Sequence, residues 1–195
     1  MKEIEEIMKQ ENVSVLLNVM NLFSEDVYNH CMSVAIISRK LVESDSNFTT
    51  DEKNLVVEGA LLHDIGKILV PFNLTELPRR LSQTEFAIVK THTLIGYEML
   101  KNDFPEIVLN IALYHHEQPN GSGYVGNIPL SRIPREALLV QVADVYDALV
   151  SKRRYKENYD NSAAIAIMKN DARNLKLDDE YLDRLQSIVG TLPIK

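Results

Sequence analysis

Residues 55–67 read LVVEGALLHDIGK. Leu55, Val56, Ala60 and Leu62 set an apolar face at helical spacing, and Thr50, with Lys53 and Asn54 behind it, reads as the N-cap. The face ends on His63 and Asp64, and Gly66 marks the stop. The same period extends outward in both directions. Ile4, Ile7, Met8, Val15, Leu16, Val19 and Leu22 form one stripe upstream. Val27, Val34, Ile37 and Leu41 form another, broken by polar residues from Ser44 to Asn47. Downstream, helices are expected from Ser82 to Leu100, from Pro105 to about Glu117, from Glu136 to Lys152, and near Ser162–Asn174 and Asp178–Val189. No segment alternates convincingly as a strand, so the expected fold class is all-α.

Between Gln118 and Pro134 lies one long irregular stretch holding Pro119, Gly121, Gly123, Gly126 and Pro129. A loop of that length inside a small domain is usually functional or disordered.

Composition narrows the function classes. The chain has 195 residues, 45% of them apolar, enough for one sizeable core. Two parts are expected: an N-terminal helical segment, 1–24, and a main domain, 25–195. The N-terminal stripe can pack on the core or pair with a second copy as a homodimer, and the sequence leaves both open. The net charge of −7 argues against a nucleic-acid polymer as partner, and no apolar run is long enough for membrane insertion. The charged N-terminus MKEIEEIMKQEN lacks the apolar stretch of a signal peptide, so a cytoplasmic location is expected. A single cysteine excludes an intramolecular disulfide and a thiolate-rich metal site.

The five histidines carry the chemistry: His30, His63, His92, and the adjacent pair His115–His116 in YHHE. Asp64 follows His63, and Asp144 interrupts the apolar string LLVQVADVYDAL. Each alone is more often a structural residue. A carboxylate among Val, Ala and Leu is nonetheless costly unless paired or bound to a cation. Together they exceed what one tetrahedral ion needs, and imidazole with carboxylate suits Zn, Fe, Mn, Co or Ni. A dinuclear centre with a bridging carboxylate is the economical reading.

These strings resemble a known family. HDIGK is similar to the motif of the HD superfamily of metal-dependent phosphohydrolases, and HHEQPNGSGYVG is similar to the signature loop of its HD-GYP subgroup. QVADVYDALVSKRRYK resembles the helix that follows in that subgroup. The resemblance runs from about Asp26 to Lys156. It implies an HD-domain helical bundle with additional C-terminal helices. It also implies a cyclic di-GMP phosphodiesterase that forms pGpG, and GMP if it cuts twice, by means of a metal-bridging hydroxide. Two cations would neutralise the phosphate charge and acidify a water.

By position, His30, His63, Asp64 and Asp144 match ligands of a first metal, and His92, His115 and His116 those of a second. Asp64 matches the bridge. The expected metals are iron or manganese. Lys67 matches a lysine that contacts the scissile phosphate. Tyr124, Arg153 and Lys156 match substrate contacts. The run Lys152, Arg153, Arg154 and Lys156 is also explained as a solvated helix end. Asp26 lies one turn before His30, where some members carry Glu and bind a third metal; a plain helix-start carboxylate explains it equally well.

The sequence departs from the subgroup at Val125, where the signature has proline, and at Ser33 and Arg154. Cys31 lies about 100° round the helix from His30 and reads as core. Two other functions stay open: hydrolysis of another cyclic dinucleotide or nucleotide, and a non-catalytic module that senses cyclic di-GMP. A signalling protein is an expected kind of partner.

Overall fold

Every stretch with apolar spacing by threes and fours forms helix, although several break where a single helix was expected. The structure, a computed structural model, describes residues 2–71, 74, 79–151 and 158–192. Among these, the α-helices are α1 (Lys2–Met8), α2 (Glu11–Phe23), α3 (Glu25–Glu43), α4 (Thr50–Leu62), α5 (Gln83–Lys90), α6 (His92–Leu100), α7 (Glu106–Tyr114), α8 (Arg135–Val150), α9 (Asn161–Arg173) and α10 (Asp179–Ile188). Short 3-10 turns cover Ile65–Leu69, Leu130–Arg132 and Val189–Thr191. No strand occurs among the described residues, and the fold is all-α.

The core lies where α3 and α4 pack against α7 and α8. Val34, Ile37 and Leu41 of α3 are fully buried with Val56, Ala60 and Leu61 of α4. Ile111 of α7 and Leu139 and Val142 of α8 close the other side. Each Val, Leu or Ile among them contributes about 1.5–3 kcal/mol relative to exposure. Gly59 lets α4 and α7 approach, since a Cβ there would stand 2.5 Å from Ile111 Cδ1. The N-terminal stripe divides at Lys9–Gln10. Ile4, Ile7, Val13, Leu17 and Met20 are buried, while Val15, Val19 and Leu22 face outward. α2 packs on α3, α4 and the turn after α4.

Side-chain caps set the starts of α3, α4, α5, α9 and α10. Thr49, rather than the expected Thr50, caps α4 in a reciprocal pair with Glu52. Ser82 and Glu85 form the same pair before α5. The helix expected from Ser82 to Leu100 breaks at Thr91, whose hydroxyl donates to the Ile88 carbonyl at 2.6 Å. α6 therefore starts afresh with His92. α7 ends at Tyr114, three residues short of the expected stop, leaving His115 and His116 beyond its last turn.

The polar break after α3 hides a buried knot. Asp45 has no exposed surface and accepts from the Asn47 backbone (2.9 Å), the Asn47 amide (2.8 Å) and the Tyr181 hydroxyl of α10 (2.9 Å). Arg135 and Arg184 stand 3.4 Å and 3.9 Å away. Burial pushes this carboxyl up, but those hydrogen bonds and the Arg184 charge outweigh it and hold it below its ordinary value.

Candidate metal centre

Elements distant in the chain converge on Asp64, which follows α4 and is almost wholly buried. α3 supplies His30, the end of α4 supplies His63, α6 supplies His92, the end of α7 supplies His115 and His116, and α8 supplies Asp144. The two oxygens of Asp64 face different partners. Oδ2 lies 3.5 Å from His63 Nε2 and 3.8 Å from His30 Nε2. Oδ1 lies 3.2 Å from His92 Nε2 and 3.9 Å from His115 Nε2. Besides a trio that includes Cys31, two groups with ligand-capable atoms mutually within 4.8 Å result: His30, His63 and Asp144, and Asp64, His92, His115 and His116.

The rings are locked from behind. His63 Nδ1–H donates to the Ala60 carbonyl (2.8 Å), His92 Nδ1–H to Val89 (2.8 Å) and His115 Nδ1–H to Ile111 (2.9 Å). These bonds leave each Nε2 lone pair pointing into the centre. His92 Nε2 then faces His115 Nε2 at 3.4 Å and Asp64 Oδ1 at 3.2 Å. Acceptors face acceptors in a buried space, and His63 Nε2 and Asp64 Oδ1 have no hydrogen-bond donor. Such an arrangement is unfavourable without cations between the lone pairs, so the donor set fits metal.

A family model described as HD domain matches residues 18–181. The chain belongs to the HD domain family. A cyclic di-GMP phosphodiesterase response regulator from Xanthomonas campestris, RpfG, is 40% identical over 131 residues, covering 66% of this chain and 35% of that protein. A 3'3'-cGAMP-specific phosphodiesterase 2 from Vibrio cholerae is 29% identical over 206 residues, covering 94% of this chain and 39% of that one. The chain thus spans little more than a third of these curated relatives. The HD domain of the Listeria monocytogenes phosphodiesterase PgpH, solved with cyclic-di-AMP, superposes with a TM-score of 0.66 at 20% identity. It covers 91% of this chain and 94% of that one, and shows the shared fold. These relatives accord with the HD-GYP resemblance read from the motifs. HD-domain phosphohydrolases are metal-dependent.

Electrostatics in the HD centre follow from burial opposed by partners. Burial alone would lower His30, but hydrogen bonds to Asp144 (2.9 Å) and Asp147 (2.6 Å) raise it to about 9. Burial drives His116 down to about 3, and His115 well below its ordinary value. Burial opposes ionisation of Asp64, yet Lys67 and the surrounding imidazoles hold its carboxyl well below the usual range. Lys67 Nζ lies 2.5 Å from Asp64 Oδ2 and its side chain keeps 22% exposure, enough to meet a ligand.

Tyr124 stacks on His116 with ring centroids 4.7 Å apart. Its loop is held by Glu117, which follows the histidine pair and has no exposed surface. Glu117 Oε1 accepts from the backbone of Gly126 (2.5 Å) and Asn127 (3.0 Å), and Gln141 of α8 donates to the Glu117 carbonyl. Gly123 is required, since a Cβ there would overlap the His116 carbonyl oxygen and the Gln118 backbone. The stretch from Gln118 to Pro134 is thus an anchored loop.

Asp26 is exposed in the first turn of α3 and belongs to neither group. Arg153 and Lys156 lie outside the described residues. Cys31 is buried, and its sulfur sits within 4.8 Å of ligand atoms of His63 and Asp64. Burial pushes its thiol well up, which keeps it neutral. The sequence reading did not single out Asp147 or Glu117. Asp147 falls three residues after Asp144, on the same helix face, and that spacing was the available signal.

Proposed function

We propose that this chain hydrolyses cyclic di-GMP to linear pGpG, with GMP arising from any second cut, and that it does so with two ions, iron or manganese. The observation that carries this reading is Asp64, whose two oxygens face two separate histidine groups. His30, His63 and Asp144 with Asp64 would hold one ion, and His92, His115 and His116 with Asp64 the other. Cations so held supply charge neutralisation at the phosphate and an acidified water.

The chain's own residues do the rest. Asp147 and three backbone carbonyls fix the rings. Lys67 offers an ammonium that can turn from Asp64 toward a phosphate oxygen. Tyr124 covers His116 and limits water at that edge. Arg153 and Lys156 are the proposed further phosphate contacts. One water is consumed for each P–O3′ bond broken. Asp26 is not counted as a ligand here, so pGpG is the main product.

The relatives support the substrate class, and two of them divide on the base: cyclic di-GMP for the Xanthomonas protein, 3'3'-cGAMP for the Vibrio one. The test is chromatographic product analysis after anaerobic loading with iron or manganese, with cyclic di-GMP and 3'3'-cGAMP in competition. pGpG formed by the intact chain but not by the His63→Ala, Asp64→Ala variant is the expected result. Bound but uncleaved cyclic di-GMP on the metal-loaded chain overturns it in favour of a sensing module. Preferential loss of 3'3'-cGAMP transfers the substrate assignment.

A further inference from the structure

α5 (Gln83–Lys90) is an odd helix in this fold. It buries none of its residues, yet its start is firmly fixed. Glu85 receives the Ser82 backbone N–H at 2.7 Å and both Arg79 guanidinium nitrogens at 2.7 Å and 2.9 Å. The Val89 carbonyl of α5 orients His92, and the helix's unburied side chains are left to face outward from that anchored backbone. What it displays toward the centre is Phe86 and, one turn on, Lys90.

Phe86 is 43% exposed, a large apolar ring left in water. It meets Tyr124 edge to face, with centroids 6.2 Å apart at 82°. Lys90 Nζ lies 4.8 Å from the Phe86 centroid and 5.0 Å from that of Tyr124. Tyr124 in turn stacks on His116. Two ring contacts therefore lead from a candidate metal ligand out to an exposed aromatic with a cation beside it.

We propose that Phe86 and Lys90, joined to the centre through Tyr124, form a subsite for a guanine base of the substrate; this rests on the phosphodiesterase reading above. An aromatic face stacks on any base. The ammonium adds selectivity, because guanine presents two acceptors, O6 and N7, where adenine pairs its N7 with a donor at N6. Placing this pair beside a phosphate-binding centre separates two tasks: the centre grips the phosphate, and α5 grips the base.

The test compares ligands with and without a base on the manganese-loaded chain, by calorimetric titration with GMP, AMP and ribose 5-phosphate. The intact chain is expected to bind GMP about 5- to 150-fold more tightly than ribose 5-phosphate. Phe86→Ala collapses that ratio, and Phe86→Tyr restores it. Lys90→Met narrows the preference for GMP over AMP. Equal binding of GMP and ribose 5-phosphate by the intact chain, or a ratio unchanged in Phe86→Ala, overturns the subsite. None of these ligands is a cyclic dinucleotide, so base-dependent binding with no hydrolysis of cyclic di-GMP would instead count against the phosphodiesterase reading alone.

Discussion

Asp147 is the residue on which the orientation of His30 depends. Its Oδ2 takes His30 Nδ1 at 2.6 Å, while its Oδ1 takes the Ser151 hydroxyl at 2.6 Å. A carboxylate behind a ligand imidazole fixes the ring and raises its basicity. Asp147→Asn keeps the volume and removes the charge. Metal affinity, measured by competition with a chromophoric chelator, is expected to fall about 10- to 100-fold with the thermal midpoint of the metal-free protein little changed. An unchanged affinity would make Asp147 a packing residue only. His63, His115 and His116 were legible in the sequence because they stand in HDIGK and YHHE, while His30 and His92 were placed only by position in the family resemblance. Asp147 was not legible, because one more acid on an apolar helix looks the same whether it faces a histidine or water.

At the level of elements, the centre depends on how closely the turn after α4 approaches α6. A Cβ at Gly66 would overlap the His92 carbonyl oxygen and lie 2.6 Å from the Gly96 backbone nitrogen. Two main chains touch there, so nothing flexible can yield. Gly66→Ala is expected to cost about 1–3 kcal/mol, as other forced overpacking does. It also displaces His92, so hydrolysis should fall further than stability accounts for, seen in activity assayed well below the melting temperature. An active and fully stable variant would show that the turn has slack. Gly66 was read from the sequence as a helix stop, and its second duty was hidden because close approach is a tertiary fact. The break at Thr91 was hidden for the same reason. Val89, Thr91 and Leu94 suit one continuous helix locally, and docking His92 against the turn decides otherwise.

For the whole molecule, the Asp45 knot joins the α3–α4 connection to the C-terminal helix α10. Its folded carboxyl sits below its ordinary value of 3.8, so it binds its proton less readily folded than unfolded. Its stabilisation is therefore complete above about pH 4 and is lost as pH falls through the lower, folded value. Asp45→Asn should destabilise the protein by about 1–3 kcal/mol at pH 7, the cost of losing a buried, charge-assisted set of hydrogen bonds. The gap between the two proteins in urea melts should close as pH drops toward 3. A gap that is constant with pH would mean that the charge is irrelevant. This knot is not legible in the sequence: Ser44 to Asn47 reads as an ordinary polar connection, since nothing local shows that Tyr181 and Arg184 return to cover it. The helical class, by contrast, was plain from periodicity, because each helix buries one face and repeats it.

His30 and Asp147, which share a hydrogen bond, are 117 residues apart in the chain. A ribosome adds about 5–20 residues per second, so His30 waits roughly 6–23 s before its carboxylate partner has even been polymerised. During synthesis His30 leaves the exit tunnel without the acid that orients it, while His63 already has its Ala60 carbonyl. The first group can then be completed only after α8, and a chain stalled before Asp144 assembles only part of it, whereas Asp64, His92, His115 and His116 are all in place in the chain before α8 begins.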